Sequence, residues 1–563
     1  MGEKIKKAIG VKGDFKTAIV PMINYSYANM FMGGAGYIIS MYFTIFLTDV
    51  VNLPLKSASL VVMFATLWDA VTDPAMGIIT DRTRSKSGKH RRYLLWGIPV
   101  LMVAYGLLWN SYGLNGSVSP GRTMLYYTLV YMLYKTAYTI IAVPHTAMLP
   151  ELAPAYDLRT QYNSMGYLFN SAGMVPSFLF AVAILMLFGS NNNITSASRP
   201  PFLVIGLVLS VFYGVAVFLT WYKTWEPSSL DNKLEPFDLH YVLHEYALVF
   251  KNKAFRQYFF MSLAYMFATG FYGTSKVYYI KYLANQYSSY ALFNAVAGVA
   301  EASAFPLNYA LTMKYGKKRC GDIVTPLMVA GLAIGLFMQT SRSGDGLRFL
   351  WLALMMVSMI LYPFGMSGLG FVSTNIFPDL TDVDEVITGR RREGVIATFS
   401  TLIKKSISGV MAALVGFILQ GFGLVTGDTV AQYEKETGSL FAQSANAVWG
   451  IRLCVAIIPI VAALISLFLL RRFRMTKADH TMIRAAIATK HKYGSVTLTD
   501  EEIESIEAIS GQKFENTWLG KDNDAGEAHP LTQNEEGDYE ILLEKEREKE
   551  RLHEQAMEEE TNA

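Results

Sequence analysis

Leu67-Trp68-Asp69-Ala70-Val71-Thr72-Asp73-Pro74 sets two carboxylates inside an otherwise apolar stretch that runs over roughly 57–80. Such a stretch is long enough to cross the ~30 Å hydrocarbon core of a bilayer as a helix. An ionisable side chain at mid-membrane costs at least ~2.5–3.5 kcal/mol, so each acid needs a reason to be there. Asp69 and Asp73 are four residues apart and share one helical face, one turn above the other. Pro74 has no N–H for the carbonyl of Ala70, which leaves an oxygen available beside the acids. Two carboxylates with a freed carbonyl or hydroxyls make a hard-oxygen site suited to Na⁺, or to a proton shared between the acids. The competing reading sets Asp73 near the end of the span, paired with the basic loop that follows.

Working outward, the same window finds further spans. Of 563 residues 52% are hydrophobic and only 17% charged, against about a quarter charged in soluble domains. Apolar stretches recur at 25–48, 57–80, 93–112, 124–149, 163–189, 202–222, 257–283, 290–313, 322–341, 348–376, 395–422 and 447–470. The expected fold class is therefore an all-α membrane protein of twelve transmembrane helices. Every second loop is basic: Arg82, Arg84, Lys86, Lys89, Arg91 and Arg92 in one, Lys314, Lys317, Lys318 and Arg319 in another, and Arg390 to Arg392 in a third. Arg471, Arg472 and Arg474 follow the last span. Positive charge marks the cytoplasmic side, which assigns both termini to the cytoplasm and the chain to the inner membrane as a multi-pass protein. The first twenty residues hold lysines but no apolar core with a cleavage site, so no removable signal peptide is expected.

The expected organisation is a cytoplasmic N-terminus (1–24), a six-helix bundle (25–222), a central cytoplasmic loop (223–256), a second six-helix bundle (257–474) and a charged cytoplasmic tail (475–563). In the central loop Leu239, Val242, Leu243, Tyr246, Val249 and Phe250 have helical spacing and predict an interfacial amphipathic helix. Thr499 with Glu502 predicts a capped short helix ending before Gly511, and 539–560 is a dense Glu/Lys/Arg run read as solvated. Cys320 and Cys454 lie in separate apolar stretches and read as apolar fillers. A net charge of +3 gives no case for nucleic acid. Metal-ligand clusters, phosphate-cradling loops and nucleophile motifs are missing from the sequence, so an enzyme is not expected and any uphill work must be driven by an ion.

Other charges also lie in apolar surroundings. Lys404 and Lys405 are about 100° apart on the eleventh span, so that one can face inward while the other snorkels. A buried lysine beside Asp69 and Asp73 would stand in for the cation when the site is empty. Lys135, Lys276 and Glu301 are further intramembrane charges. Lys276 and Glu301 read either as an ion pair or as substrate contacts, and His145, after Pro144, as a packing residue or a substrate contact.

These stretches resemble the glycoside–pentoside–hexuronide:cation symporter family, of sodium/melibiose symporter type, within the major facilitator superfamily. The resemblance is carried by Phe46-Leu47-Thr48-Asp49-Val50-Val51, by Trp68 to Gly77, by Asp81 to Lys89, by Val143-Pro144-His145 with Leu149 to Leu152 and Arg159-Thr160, and by Asp379 to Glu385 with Thr388 to Gly394. It covers roughly 20–475. It implies two six-helix bundles that alternate between inward and outward access, acting as a monomer. By position, Asp69 and Asp73 fall on the family's cation-binding aspartates, Thr139 on an assisting threonine, and Lys405 on the lysine that links cation to sugar. Asp81, Arg82, Lys89 and Arg391 fall on the gating loops. No cofactor is implied beyond co-transported Na⁺ or H⁺.

The sugar-reading positions depart from the family. Its helix-one aspartate aligns with Gly33, its helix-four aspartate with Ala142, a helix-four tryptophan with Thr146 and a helix-five arginine with Tyr167. Two acids are gone while Lys135 and Lys276 are added, which predicts a preference for an acidic glycoside such as a uronide, with an oligosaccharide as the other expected cargo. The expected substrate-binding set is Lys135, Tyr138, Ala142, His145, Tyr167, Lys276 and Glu301, with aromatic rings stacking on the sugar. The alternatives are a carrier of lipid-like amphiphiles on the same fold, or a membrane sugar sensor that signals through its tail.

Overall fold

In a computed structural model the described residues are 19–86, 88–153, 156–190, 194–226, 248–284, 290–337, 348–437, 441–521 and 523. They form helices and turns, with no strand among them. Most of the amphipathic segment expected at 239–250, and all of the 539–560 run, lie outside the described residues.

The helices are long because the apolar stretches are long. In chain order they are α1 (Val20–Ile38), α2 (Leu55–Asp81), α3 (Arg91–Leu108), α4 (Pro120–Ala147), α5 (Tyr156–Leu187), α6 (Arg199–Lys223), α7 (Lys253–Tyr278), α8 (Tyr290–Phe337), α9 (Arg348–Thr388), α10 (Glu393–Gly421), α11 (Asp428–Thr437), α12 (Ala445–Arg452), α13 (Ile458–Arg472), α14 (Lys477–Tyr493) and α15 (Asp500–Ser510). α8 breaks at Gly316, whose φ of 81° and ψ of 166° no helix contains. Wide, π-helical turns extend α1 over Ile39–Phe43 and Phe46–Val50, and α7 over Tyr279–Leu283. Among the described residues seven helical stretches are long and apolar enough to cross a membrane, from Leu55–Asp81 to Ala445–Arg472. The chain is a multi-pass membrane protein.

Two compact units divide the chain. The first gathers α1–α6 with the end of α7 and the segment Lys405–Cys454. Its core is aromatic: Trp109 stacks on Phe202 at 5.5 Å between ring centres, and Phe46, Tyr105 and Tyr127 are fully buried around them. Small residues let α1 and α5 approach closely, since a Cβ on Gly34 or Gly173 would meet the backbone of the facing helix.

The second unit holds the start of α7, α8, α9, the start of α10, and α13–α15. Its tail is folded. α14 and α15 each begin with a reciprocal capping box, Thr476 with Asp479 and Thr499 with Glu502, and α15 ends at Ser510 before Gly511 as its sequence predicts. The amides of Trp518 and Leu519 donate to the carbonyls of Ile387 and Val386 at 3.1 and 3.2 Å, which docks the tail on the end of α9. Cys320 and Cys454 are buried and unbridged.

Candidate cation and substrate site

In the first unit α2, α4 and α10 bring four charged groups together. Asp69 is 3% exposed, and its Oδ2 lies 3.4 Å from Nζ of Lys135 and 3.2 Å from Nζ of Lys405. Lys405 also pairs with Asp73. The hydroxyl of Thr139 donates to Asp73 at 2.7 Å and reaches Asp69 at 3.4 Å, and Thr72 stands 3.5 Å from Thr139. Asp69 and Asp73 share a face of α2, as their spacing predicts, and Lys135 and Thr139 share a face of α4 for the same reason. The cluster is electrically balanced: two carboxylates meet two ammoniums, with hydroxyl oxygens beside them. Trp68 is fixed alongside through its indole N–H, which donates to Thr136 at 2.9 Å.

Lys135, an expected substrate contact, has its ammonium on Asp69. The signal for this was present, because Lys135 lies one helical turn from Thr139. Within the second unit Lys404 lies 3.4 Å from the hydroxyl of Tyr258.

The surroundings of the remaining expected substrate residues differ. Tyr138 packs on Phe31 and Tyr134, at 5.4 and 6.4 Å between ring centres. His145 is 1% exposed and stacked on Tyr25 at 4.1 Å; its Nε2 meets the Tyr25 carbonyl at 2.9 Å, while the Tyr25 hydroxyl donates to the His145 carbonyl. That is the geometry of a packed, hydrogen-bonded histidine. Ala142 is half-buried and Tyr167 is exposed. Gly33 lies so close to Asn170 that a Cβ would collide with it, so this position joins helices instead of opening a pocket. Lys276 belongs to the first unit and Glu301 to the second.

Of the gating-loop residues, Asp81 and Arg82 are exposed at the end of α2 and Lys89 is half-buried. In the second unit Arg391 donates to Asp382 at 3.0 Å and lies 3.5 Å from Glu385. The tail joins this group, with His480 at 2.8 Å from Asp382 and His491 at 3.0 Å from Glu385. Arg392 grips Asp384 through two bonds of 2.7 and 2.8 Å.

A second buried charge cluster of the first unit was not read from the sequence. Asp49, in the last wide turn of α1, pairs with Lys281, in the wide turn of α7, and Tyr282 donates to the same oxygen at 3.4 Å. Nearby, Asn52 donates to Asp428 at 2.6 Å and accepts from the Asp428 amide at 2.9 Å, while the Ser196 amide donates to that carboxylate at 3.2 Å. The available signal was Asp49 in a family stretch and Lys281 at a span edge; both resemble ordinary loop charges.

Comparison with known proteins agrees with this picture. A model of the family described as MFS/sugar transport protein matches residues 24–477. An uncharacterized symporter of Synechocystis sp. is 24% identical, the match covering 81% of this chain and 94% of that protein. The isoprimeverose transporter of Lactiplantibacillus pentosus is also 24% identical, covering 83% and 90%. Among solved structures, the nucleoside transporter NupG superposes with a TM-score of 0.53 at 13% identity over 82% of this chain and all of that one, a likeness of fold. A helical membrane fold among the described residues and a family match over most of the length converge: the chain belongs to the MFS/sugar transport family and is a transport protein, not an enzyme.

Proposed function

We propose that this protein is a cation:sugar symporter of the inner membrane, with twelve helices in two six-helix bundles, and that Asp69, Asp73, Thr139, Lys135 and Lys405 form its coupling site. The observation that carries this reading is the balanced cluster itself. A carboxylate pair answered by movable ammoniums changes partners when a cation or proton arrives, and that change is what coupling requires. Relatives named as an isoprimeverose transporter, a raffinose carrier and a putative glycoside/cation symporter support a sugar or glycoside as the cargo.

The proton is the coupling ion that fits the cluster best. Na⁺ needs a vacated shell of oxygens and net negative charge, and here both charges are already matched. A proton needs one carboxylate only. Protonation of Asp73 releases Lys405, which then reorders the substrate site on the same unit. With Lys135 bound to Asp69, the case for an acidic cargo rests on Lys276 alone, so a neutral glycoside is the favoured class. The Asp49–Lys281 and Asn52–Asp428 contacts lie on the face whose loops are poor in positive charge, the outer face under the positive-inside rule. Opening that face would break them.

Uptake of labelled isoprimeverose, raffinose and a phenyl glucuronide by proteoliposomes, under an imposed pH gradient or an imposed Na⁺ gradient, tests this reading. Accumulation of a neutral glycoside driven by the pH gradient supports it. Accumulation of the glucuronide alone, driven by Na⁺ alone, contradicts both assignments.

A further inference from the structure

A basic pocket lies on the first unit, away from the coupling cluster. It has a volume of about 420 Å³ and is lined by Ser85, Lys86, Arg91, Arg92, Leu95, Trp96 and Trp221, with no acid among these described residues. Glu226, just beyond α6, builds it. This carboxylate is 2% exposed and accepts from the amides of His90 at 3.0 Å and Arg91 at 2.7 Å, with Nδ1 of His90 at 2.7 Å. Burial alone would push the Glu226 carboxyl up, but the bonds from His90 and from the two amides outweigh it and hold the group below its usual range. Gly88, at a φ of 86°, approaches Glu226 where a Cβ would overlap the carboxylate. The loop is thus fastened through its backbone, beside the side chains of Lys86, Arg91 and Arg92 that line the pocket.

Those side chains are arranged against aromatic rings. The Arg91 guanidinium lies 5.2 Å from the Trp221 ring centre and donates through Nε to the Trp221 carbonyl at 2.8 Å. Arg92 lies 5.6 Å from the Trp96 ring, and Trp96 is 65% exposed. Tyr222, in the last turn of α6, and Trp225, just beyond it, are also exposed. Tryptophan and tyrosine collect where a membrane protein passes the headgroup layer, and clustered arginines there take phosphate. Exposed Leu95 adds an apolar edge beside the charges.

We propose that this pocket binds the phosphodiester headgroup of an anionic phospholipid, with Arg91 and Arg92 on the phosphate, Lys86 at the mouth, and Trp96 and Leu95 against the first methylenes of the chains. Nothing in the coupling cluster requires this site, so the two stand or fall separately.

The test uses the purified full chain, delipidated in a neutral detergent. Binding is measured by native mass spectrometry and by the rise in melting temperature on adding phosphatidylglycerol, phosphatidylcholine or inorganic phosphate at equal concentration. Phosphatidylglycerol is expected to bind and raise the melting temperature, with phosphatidylcholine and inorganic phosphate giving little. Arg92→Gln should weaken phosphatidylglycerol binding about fivefold, and Lys86→Gln, on an exposed loop side chain, by a similar factor. Lys86→Gln keeps the test valid if Arg92→Gln does not fold. Equal binding of the two lipids, inorganic phosphate matching the anionic lipid, or unchanged binding by a folded variant would each overturn the proposal.

Discussion

Two buried clusters of the first unit use the same chemistry to different ends. At the Asp49–Lys281 pair one carboxylate meets one ammonium, with side chains only 1% and 11% exposed. At the α2–α4–α10 cluster two carboxylates meet two ammoniums and two threonines, and Asp73 and Lys405 are 24% and 30% exposed. A pair sealed from water exchanges partners less readily than one that water reaches. A group with surplus partners and some access to water can exchange them. The first is suited to fastening helix ends and the second to binding an ion.

The largest effect should come from the exchangeable cluster. Asp73→Cys or Asp69→Cys is expected to reduce gradient-driven accumulation by about 100-fold or more while sparing exchange of labelled for unlabelled sugar, since a transition worth several kcal/mol loses its drive. Full accumulation by either variant would erase the distinction between the clusters. Next, Lys281→Ala should cost about 3–5 kcal/mol of stability, because it strands a buried carboxylate. The double variant Asp49→Asn with Lys281→Ala should recover much of that loss in thermal unfolding. Additive losses would mean the pair is not a fastening.

Lys135→Ala sharpens the comparison in another way. Removing one ammonium leaves the Asp69–Asp73 group with a surplus negative charge, and Na⁺ stimulation of uptake should appear or grow about tenfold, as an unmatched charge raises cation affinity. Uptake that stays indifferent to Na⁺ would count against the charge-balance argument. The smallest effect belongs to Thr139→Val, which deletes one hydrogen bond to a carboxylate worth about 1.5–3 kcal/mol. Its apparent affinity for the coupling proton should rise about tenfold, because the charged carboxylate loses a donor, with the maximal rate retained, read from uptake against pH.

The sequence was most readable where physics forbids coincidence. Two acids one turn apart in an apolar stretch have no routine explanation, and Asp69 and Asp73 stood out for that reason. Lys405 followed because adjacent lysines on a helix point about 100° apart, so that one can face inward while the other snorkels. The capped helix at Thr499 was legible from local rules alone. Lys281 was not legible, because its partner is 232 residues away and both residues sit at span edges where charge is ordinary. Lys135 was visible as a charge but not as a partner of Asp69, since helix spacing gives a face and not the neighbour that face meets. Gly33 was read as a lost sugar contact, while the close approach of Asn170 that also accounts for a glycine there depends on packing. The docking of the tail on α9 had no local signal beyond its helix caps.

The most direct measurement is uptake of a labelled neutral glycoside into proteoliposomes under an imposed pH gradient, for the wild type and Asp73→Cys side by side. The account predicts accumulation above the external concentration in the wild type and equilibration without accumulation in the variant. Equal accumulation by the two would contradict it.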